Sequence, residues 1–163
     1  MSWQLRRATV DDLDAIMVIE SSEFANDAWS NDMMSAEIVD NHSYYLVAHP
    51  LGDPATVTAY AGLRAPFRSG QADIQTIAVA PGARRHGIGR ALMHALMVEA
   101  RNRGASDLFL EVRDDNPSAQ RLYDSLGFER IAVRPHYYQP DGVDAIVMRL
   151  TIPEPTLSPA VGT

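Results

Sequence analysis

The stretch Ile77–Leu96, "IAVAPGARRHGIGRALMHAL", decides how this chain is read. An apolar run ends at Pro81-Gly82, and from Gly87 the spacing of the apolar residues changes. Ile88, Ala91, Leu92, Ala95 and Leu96 follow a 3.6-residue repeat, and Arg101, Arg103 and Gly104 make a helix end. A strand therefore passes into a helix through a turn holding Arg84, Arg85, His86, Gly87, Gly89 and Arg90. Backbone amides at a helix start form an anion site, and glycines let a phosphate come close to them. The same residues also suit a tight turn with exposed arginines. Two phosphate-binding patterns fail here. G-x-x-x-x-G-K-[ST] is spaced by Gly82 and Gly87, but Ile88 stands where lysine is required. G-x-G-x-x-G begins at Gly87 and Gly89, but Leu92 occupies the third position.

Upstream, "WQLRRA" reads as a strand, and Thr9 with Asp12 resembles a capping box that opens a helix reaching Phe24. A second helix follows Ser30 and carries Met33, Met34, Ile38 and Val39. "SYYLVAH", "ATVTAYAGLR" and "ADIQTIAV" are three further strands, the first two separated by "PLGDP". Downstream, "DLFLEVR" alternates strictly, with Leu108, Leu110 and Val112 on one face and Phe109, Glu111 and Arg113 on the other. Asn116-Pro117 signals a helix start, and Ala119, Leu122, Tyr123 and Leu126 stripe that helix up to Gly127. Two last strands are expected near 129–134 and 143–150. The order β-α-α-β-β-β-α-β-α-β-β predicts one α/β domain with a mixed sheet over residues 1–150. The Pro-rich remainder, 151–163, is expected to be a disordered tail.

Composition narrows the function. The chain has 163 residues, 46% hydrophobic and 21% charged, and it has no cysteine, so disulfides and thiolate chemistry are excluded. All 14 basic residues are arginine, and none lies between Ala8 and Leu63, where ten residues are acidic. An acidic front portion repels a nucleic-acid backbone and attracts a cationic substrate; Glu23, Asp27 and Asp32 are candidates for that attraction. The plainer alternative is a solubilising surface. The five histidines have no metal-ligand spacing, so no metal is expected. No segment suits a membrane span or a signal peptide, which makes the cytoplasm the expected location.

With the two glycine fingerprints set aside, the remaining pattern is R-x-x-G-x-G at Arg84, Gly87 and Gly89. It resembles the acetyl-CoA pyrophosphate loop of the GNAT N-acetyltransferase superfamily. "LEVRDDNPSAQRLYDSLGF", "HYYQPDGVDAIVM" and "AWS" resemble the RimI branch, protein N-terminal alanine acetyltransferases that modify a small-subunit ribosomal protein. The likeness covers roughly residues 3–150. It implies the GNAT fold, a single mixed and mostly antiparallel sheet flanked by about four helices, with acetyl-CoA as cosubstrate. By the same resemblance Glu111 is the general base and Tyr123 the general acid. Ile77, Ala78 and Val79 offer backbone groups to the acetyl and pantetheine portions. Arg84, Arg85, His86, Gly87, Ile88, Gly89 and Arg90 hold the pyrophosphate, Asn116 meets the pantetheine arm, and Tyr137 and Tyr138 line the acceptor groove. The implied partner is a basic protein N-terminus, without direct nucleic-acid binding. Arg84-Arg85-His86 is bulkier and more cationic than the family's usual loop start.

The chemistry suits these residues. A peptide α-amine, with a pKa of about 7.7–8.0, is readily deprotonated by a strand-end carboxylate. A tyrosine phenol can give its proton to a departing thiolate. Without cysteine, lysine or a G-x-S-x-G elbow, direct transfer in a ternary complex is expected instead of a covalent enzyme intermediate. Glu111 alone also reads as a surface carboxylate paired with Arg113, and Tyr123 as a core residue. A small-amine acetyltransferase and a non-catalytic acetyl-CoA-binding module remain as competing readings.

Overall fold

The computed structural model describes residues 2–153. Its elements run β1 (Trp3–Arg7), α1 (Leu13–Glu23), α2 (Asn31–Val39), β2 (Ser43–Pro50), β3 (Ala59–Arg64), β4 (Gln71–Val79), α3 (Ile88–Asn102), β5 (Asp107–Arg113), α4 (Pro117–Ser125), β6 (Glu129–Tyr138) and β7 (Val143–Thr151). Single 3-10 turns at Val10–Asp12 and Pro81–Ala83 precede α1 and α3. The seven strands form one sheet in the order β1-β2-β3-β4-β5-β7-β6. Every neighbouring pair is antiparallel except β4–β5. The mixed, mostly antiparallel sheet with four helices is the architecture expected.

Strand alternation divides the core into two layers. Leu46, Ala48, Ala61 and Leu63 pack with Leu92, Met93 and Leu96 of α3 on one side of the sheet. Tyr45, Val47 and Tyr60 pack with Ile16 and Ile19 of α1 and Met34 and Ile38 of α2 on the other. In β4 the alternation breaks. The register against β3 shifts between Gly62 and Leu63, leaving Gln75 as the extra residue of a β-bulge. Ala72 and Ile74 therefore belong to the α3 layer, whereas Ala78 belongs to the α1–α2 layer.

Several local expectations are corrected. α2 carries Met33, Met34, Ile38 and Val39 as expected, but Met33 and Val39 are 53% and 62% exposed and only Met34 and Ile38 are buried. β3 begins at Ala59 instead of Ala55, after the stretch 51–58 completes the turn. β6 extends to Tyr138, through the left-handed residue His136 (φ 53°), whose amide donates to Asp144 Oδ1 at 2.9 Å. β7 reaches Thr151, and the buried Ile152 donates its amide to Ser106 O at 2.8 Å. The rest of the expected tail, from residue 154, lies outside the described residues.

Candidate active site

β4 and β5 pair for only three residues, Gln71–Asp73 against Asp107–Phe109. Beyond that, each strand is held from its far side alone: β4 by β3 as far as Val79, β5 by β7 as far as Arg113. Their inner edges splay and leave backbone groups of residues 74–79 without a strand partner on that side. A narrow cavity of about 180 Å³ fills the opening, lined by Ile77, Leu110, Glu111, Asn116 and Tyr123. A wider cleft of about 710 Å³ lies next to it, bordered by Trp29, Asp73, Arg134, Tyr137 and Tyr138. Glu111 borders both.

The glycine turn sits beyond the open end of β4. Arg85 and Gly87 adopt left-handed backbone (φ 68° and 77°), a conformation that turns successive amides toward a common point. Among the described residues, no hydrogen bond uses the amides of Arg85 to Arg90; the first donor of α3 is Ala91, to Gly87 O at 3.0 Å. The cations are distributed unequally. Arg84 folds back onto α1, pairing with Glu23 and donating to Val79 O at 3.2 Å. Arg90 donates to Ser125 Oγ of α4 at 2.8 Å. Arg84 and Arg90 thus clasp the turn to its neighbouring helices, leaving Arg85 and His86 as the side chains of the turn with no hydrogen-bond or ion-pair partner among the described residues. The His86 carbonyl accepts from Trp3 Nε1–H at 3.1 Å, which ties the turn to β1.

The two glycines serve different ends. Gly87 needs its positive φ, which costs an L-residue roughly 1–2 kcal/mol. A Cβ on Gly89 would meet only Leu122 at 3.7 Å and Val79 at 3.8 Å, ordinary contacts. Among the described residues nothing requires glycine there, which is what the expected close approach of a diphosphate to the helix start would call for. Gly89→Ala is expected to melt no lower than wild type, because alanine is the better helix former. Its KM for acetyl-CoA is expected to rise about tenfold, as a lost close approach would cause. Thermal melts and acetyl-CoA saturation curves check both halves.

Among the described residues Glu111 is not paired with Arg113, the partner given to it by the plainer reading as a surface carboxylate. Its carboxylate meets Arg134 of β6 at 3.2 Å, and its side chain remains 29% exposed. Tyr137 lies against the same carboxylate, and this hydrogen-bonding neighbour, more than burial, raises the phenol's pKa. Arg113 is spent elsewhere: on Asp27 at 2.5 Å, Asp141 at 2.5 Å and Asp115 at 3.0 Å. Glu23 and Asp27, expected to attract a cationic substrate, are thereby neutralised by Arg84 and Arg113. Asp73 is different. It faces the wide cleft with no ion-pair partner among the described residues, and desolvation, then the charge of Glu111, raise its pKa.

Tyr123 is buried among apolar residues, edge-on to Phe128 with ring centroids 6.0 Å apart. Its hydroxyl has no hydrogen-bond partner among the described residues, and desolvation pushes its pKa up to about 12. Asn116 caps α4, its Oδ1 accepting from Ala119 N–H at 3.2 Å, so its own orientation is fixed at the cavity wall. The residue-by-residue reading missed Asp73, Arg134 and Glu20 as components of the site. For Glu20 a signal existed: a carboxylate standing in the apolar stripe of α1.

A seven-stranded sheet split between its parallel strands, with a strand–glycine turn–helix at the split, defines a class of acyl-CoA-dependent transferases. The chain belongs to the GNAT family: the family model, "Acetyltransferase (GNAT) family", matches residues 11–128. The domain is accordingly an N-acetyltransferase with acetyl-CoA as donor. It is 35% identical over 133 residues to the N-alpha-acetyltransferase RimI of Mycobacterium tuberculosis, across 80% of each chain. The crystal structure of the ribosomal-protein-S18-alanine N-acetyltransferase from Escherichia coli matches it with a TM-score of 0.79 at 30% identity, over 96% of this chain and 99% of that one. It is also 37% identical over 147 residues to an uncharacterized protein of Mycobacterium leprae, of whose length it spans only 38%.

Proposed function

We propose that the chain acetylates the α-amine of an alanine-starting protein, a small-subunit ribosomal protein, by direct attack in a ternary complex in the cytoplasm. The observation that carries this reading is Glu111's place at the junction of two cavities. One runs toward Asn116 and Tyr123, and the other opens between Trp29 and Tyr137–Tyr138. The E. coli structural relative is an alanine N-acetyltransferase for a ribosomal protein, which supports the choice of acceptor.

In this reading acetyl-CoA supplies an acetyl group activated as a thioester. The backbone of Ile77, Ala78 and Val79 aligns the acetyl-pantetheine arm along the free edge of β4, and Asn116 borders that arm. The amides of Arg85 to Arg90 and the Arg85 guanidinium bind the pyrophosphate. Glu111 takes a proton from the acceptor amine, and the Tyr123 phenol returns one to the departing sulfur. Tyr137 and Tyr138 line the groove through which the acceptor arrives. Mass spectrometry of an Ala-starting ribosomal peptide after incubation with acetyl-CoA tests the proposal, with a panel of polyamines and aminosugars alongside. One added acetyl group on the peptide's α-amine is expected; turnover of small amines alone would overturn it.

Asp73 gives the acceptor cleft its unspent negative charge. Asp73→Asn is expected to weaken discrimination in favour of peptides with a cationic second or third residue by about tenfold in kcat/KM. Because the folded protein raises Asp73's pKa, its ionised form is disfavoured in the native state. The Asn variant is therefore expected to melt slightly higher near neutrality, with no gain well below pH ~3.9, where the carboxyl is protonated folded or unfolded. Melting curves at two pH values and a peptide series check the pair of effects.

A further inference from the structure

Glu20 is the one carboxylate of α1 that faces the core, 1% exposed, with no cation against it among the described residues. A buried carboxylate survives only when its oxygens accept hydrogen bonds. Three donors converge on this one, from three separate parts of the chain. Oε1 accepts from the Tyr60 hydroxyl of β3 and from Thr76 Oγ1 of β4 at 3.1 Å. Oε2 accepts from the backbone N–H of Trp29, in the loop between α1 and α2, at 3.0 Å. Glu20 and Thr76 both border the narrow cavity, Thr76 lies one residue past the β4 bulge, and Trp29 borders both cavities.

We infer that Glu20 is a positioning residue for the acceptor: it ties the Trp29 end of the α1–α2 loop to the middle of β4. This inference rests on the proposed acceptor reading. The tie fixes the separation between the wall that receives the acceptor and the strand along which the thioester lies. The donors differ in what they tolerate. The Tyr60 and Thr76 hydroxyls can turn and accept, whereas the Trp29 amide can only donate. Glutamine at this position satisfies all three, with its carbonyl toward Trp29 and its NH2 toward the two hydroxyls. A side chain without an acceptor releases the loop.

The test compares Glu20→Ala, Glu20→Met and Glu20→Gln. Steady-state kinetics varies acetyl-CoA and the Ala-starting peptide separately. The chain's two tryptophans are Trp3 and Trp29, so a Trp3→Phe background makes Trp29 the only indole emitter. Glu20→Ala is expected to raise the peptide KM about tenfold, with the acetyl-CoA KM within about twofold, and to shift Trp29 emission to longer wavelength. Glu20→Gln is expected to restore both. Glu20→Met, which keeps volume and removes only the acceptors, replaces alanine if that variant does not fold. The proposal is overturned by an unchanged peptide KM, by equal rises in both KM values, or by a glutamine variant as impaired as the alanine one. If neither Ala nor Met folds, Glu20 serves the core and not the acceptor, and the proposal fails. Should the wild-type protein acetylate no peptide, the acceptor reading fails. The emission shift and its reversal by glutamine then still decide whether Glu20 holds the loop.

Discussion

Glu111→Gln is expected to lower kcat by about 10²–10⁴-fold while changing the KM for acetyl-CoA less than about twofold. The amide keeps the shape of the carboxylate and its place at the junction of the two cavities, but it cannot take the amine's proton. Folding is a separate question with a separate answer. Only the exposed pair with Arg134 is lost, and such pairs contribute about 0–1 kcal/mol, so the melting temperature should hardly move. Tyr123→Phe should also reduce kcat, and its pH profile identifies the role. Since burial raises the phenol's pKa to about 12, the protonated form persists across the working range. The rising limb of the wild-type profile then reports the acceptor amine, near pH 7.7–8.0, and should stay in place in the phenylalanine variant. Rate profiles from pH 6 to 10 on a short peptide check this. A limb that vanishes with Tyr123→Phe would reassign the residue as the base.

Gly62→Ala is expected to destabilise the fold by about 3 kcal/mol or more, lowering the melting temperature by roughly 6–12 °C. Gly62 lies directly opposite Tyr45 in the β2–β3 ladder. A Cβ there would stand 2.2 Å from the Tyr45 ring. The ring cannot step aside. It is 1% exposed, and its hydroxyl donates to Gln75 Oε1 at 2.8 Å. Because Gln75 is the bulge residue, the strain would reach the part of β4 that borders the site. Tyr45→Leu in the Gly62→Ala background frees that space and should recover part of the lost stability. Differential scanning calorimetry on the two single variants and the double variant measures the coupling.

The element order was legible because each segment announces its own period: Leu108, Leu110 and Val112 at two residues, Ile88, Leu92 and Leu96 at about four. Gly87 was legible as a turn residue for the same local reason, and its φ of 77° bears this out. Partnerships across the sheet were not. Nothing near Glu111 in sequence says that Arg134, 23 positions away on β6, lies against it and that the adjacent Arg113 does not. Charge totals hid the same information. Of the ten acids in the front portion, Glu23, Asp27 and Asp32 were candidates for attracting a cationic substrate, yet Glu23 and Asp27 are neutralised by arginines from beyond residue 80. The bulge at Gln75 was also invisible, because "ADIQTIAV" is a plausible strand in either register. Only its packing against Gly62 and Tyr45 decides that an extra residue fits.

The short β4–β5 pairing bears on stability in the cell. Two central strands that part after three residues leave the free protein with an unfinished sheet. In the proposed reading, a donor lying along β4 would supply part of what a neighbouring strand supplies, and only to the folded chain. By mass action, a donor at a hundred times its dissociation constant adds about 2.7 kcal/mol to the unfolding free energy. Acetyl-CoA is therefore expected to raise the protein's resistance to unfolding, which melting curves with and without the donor check.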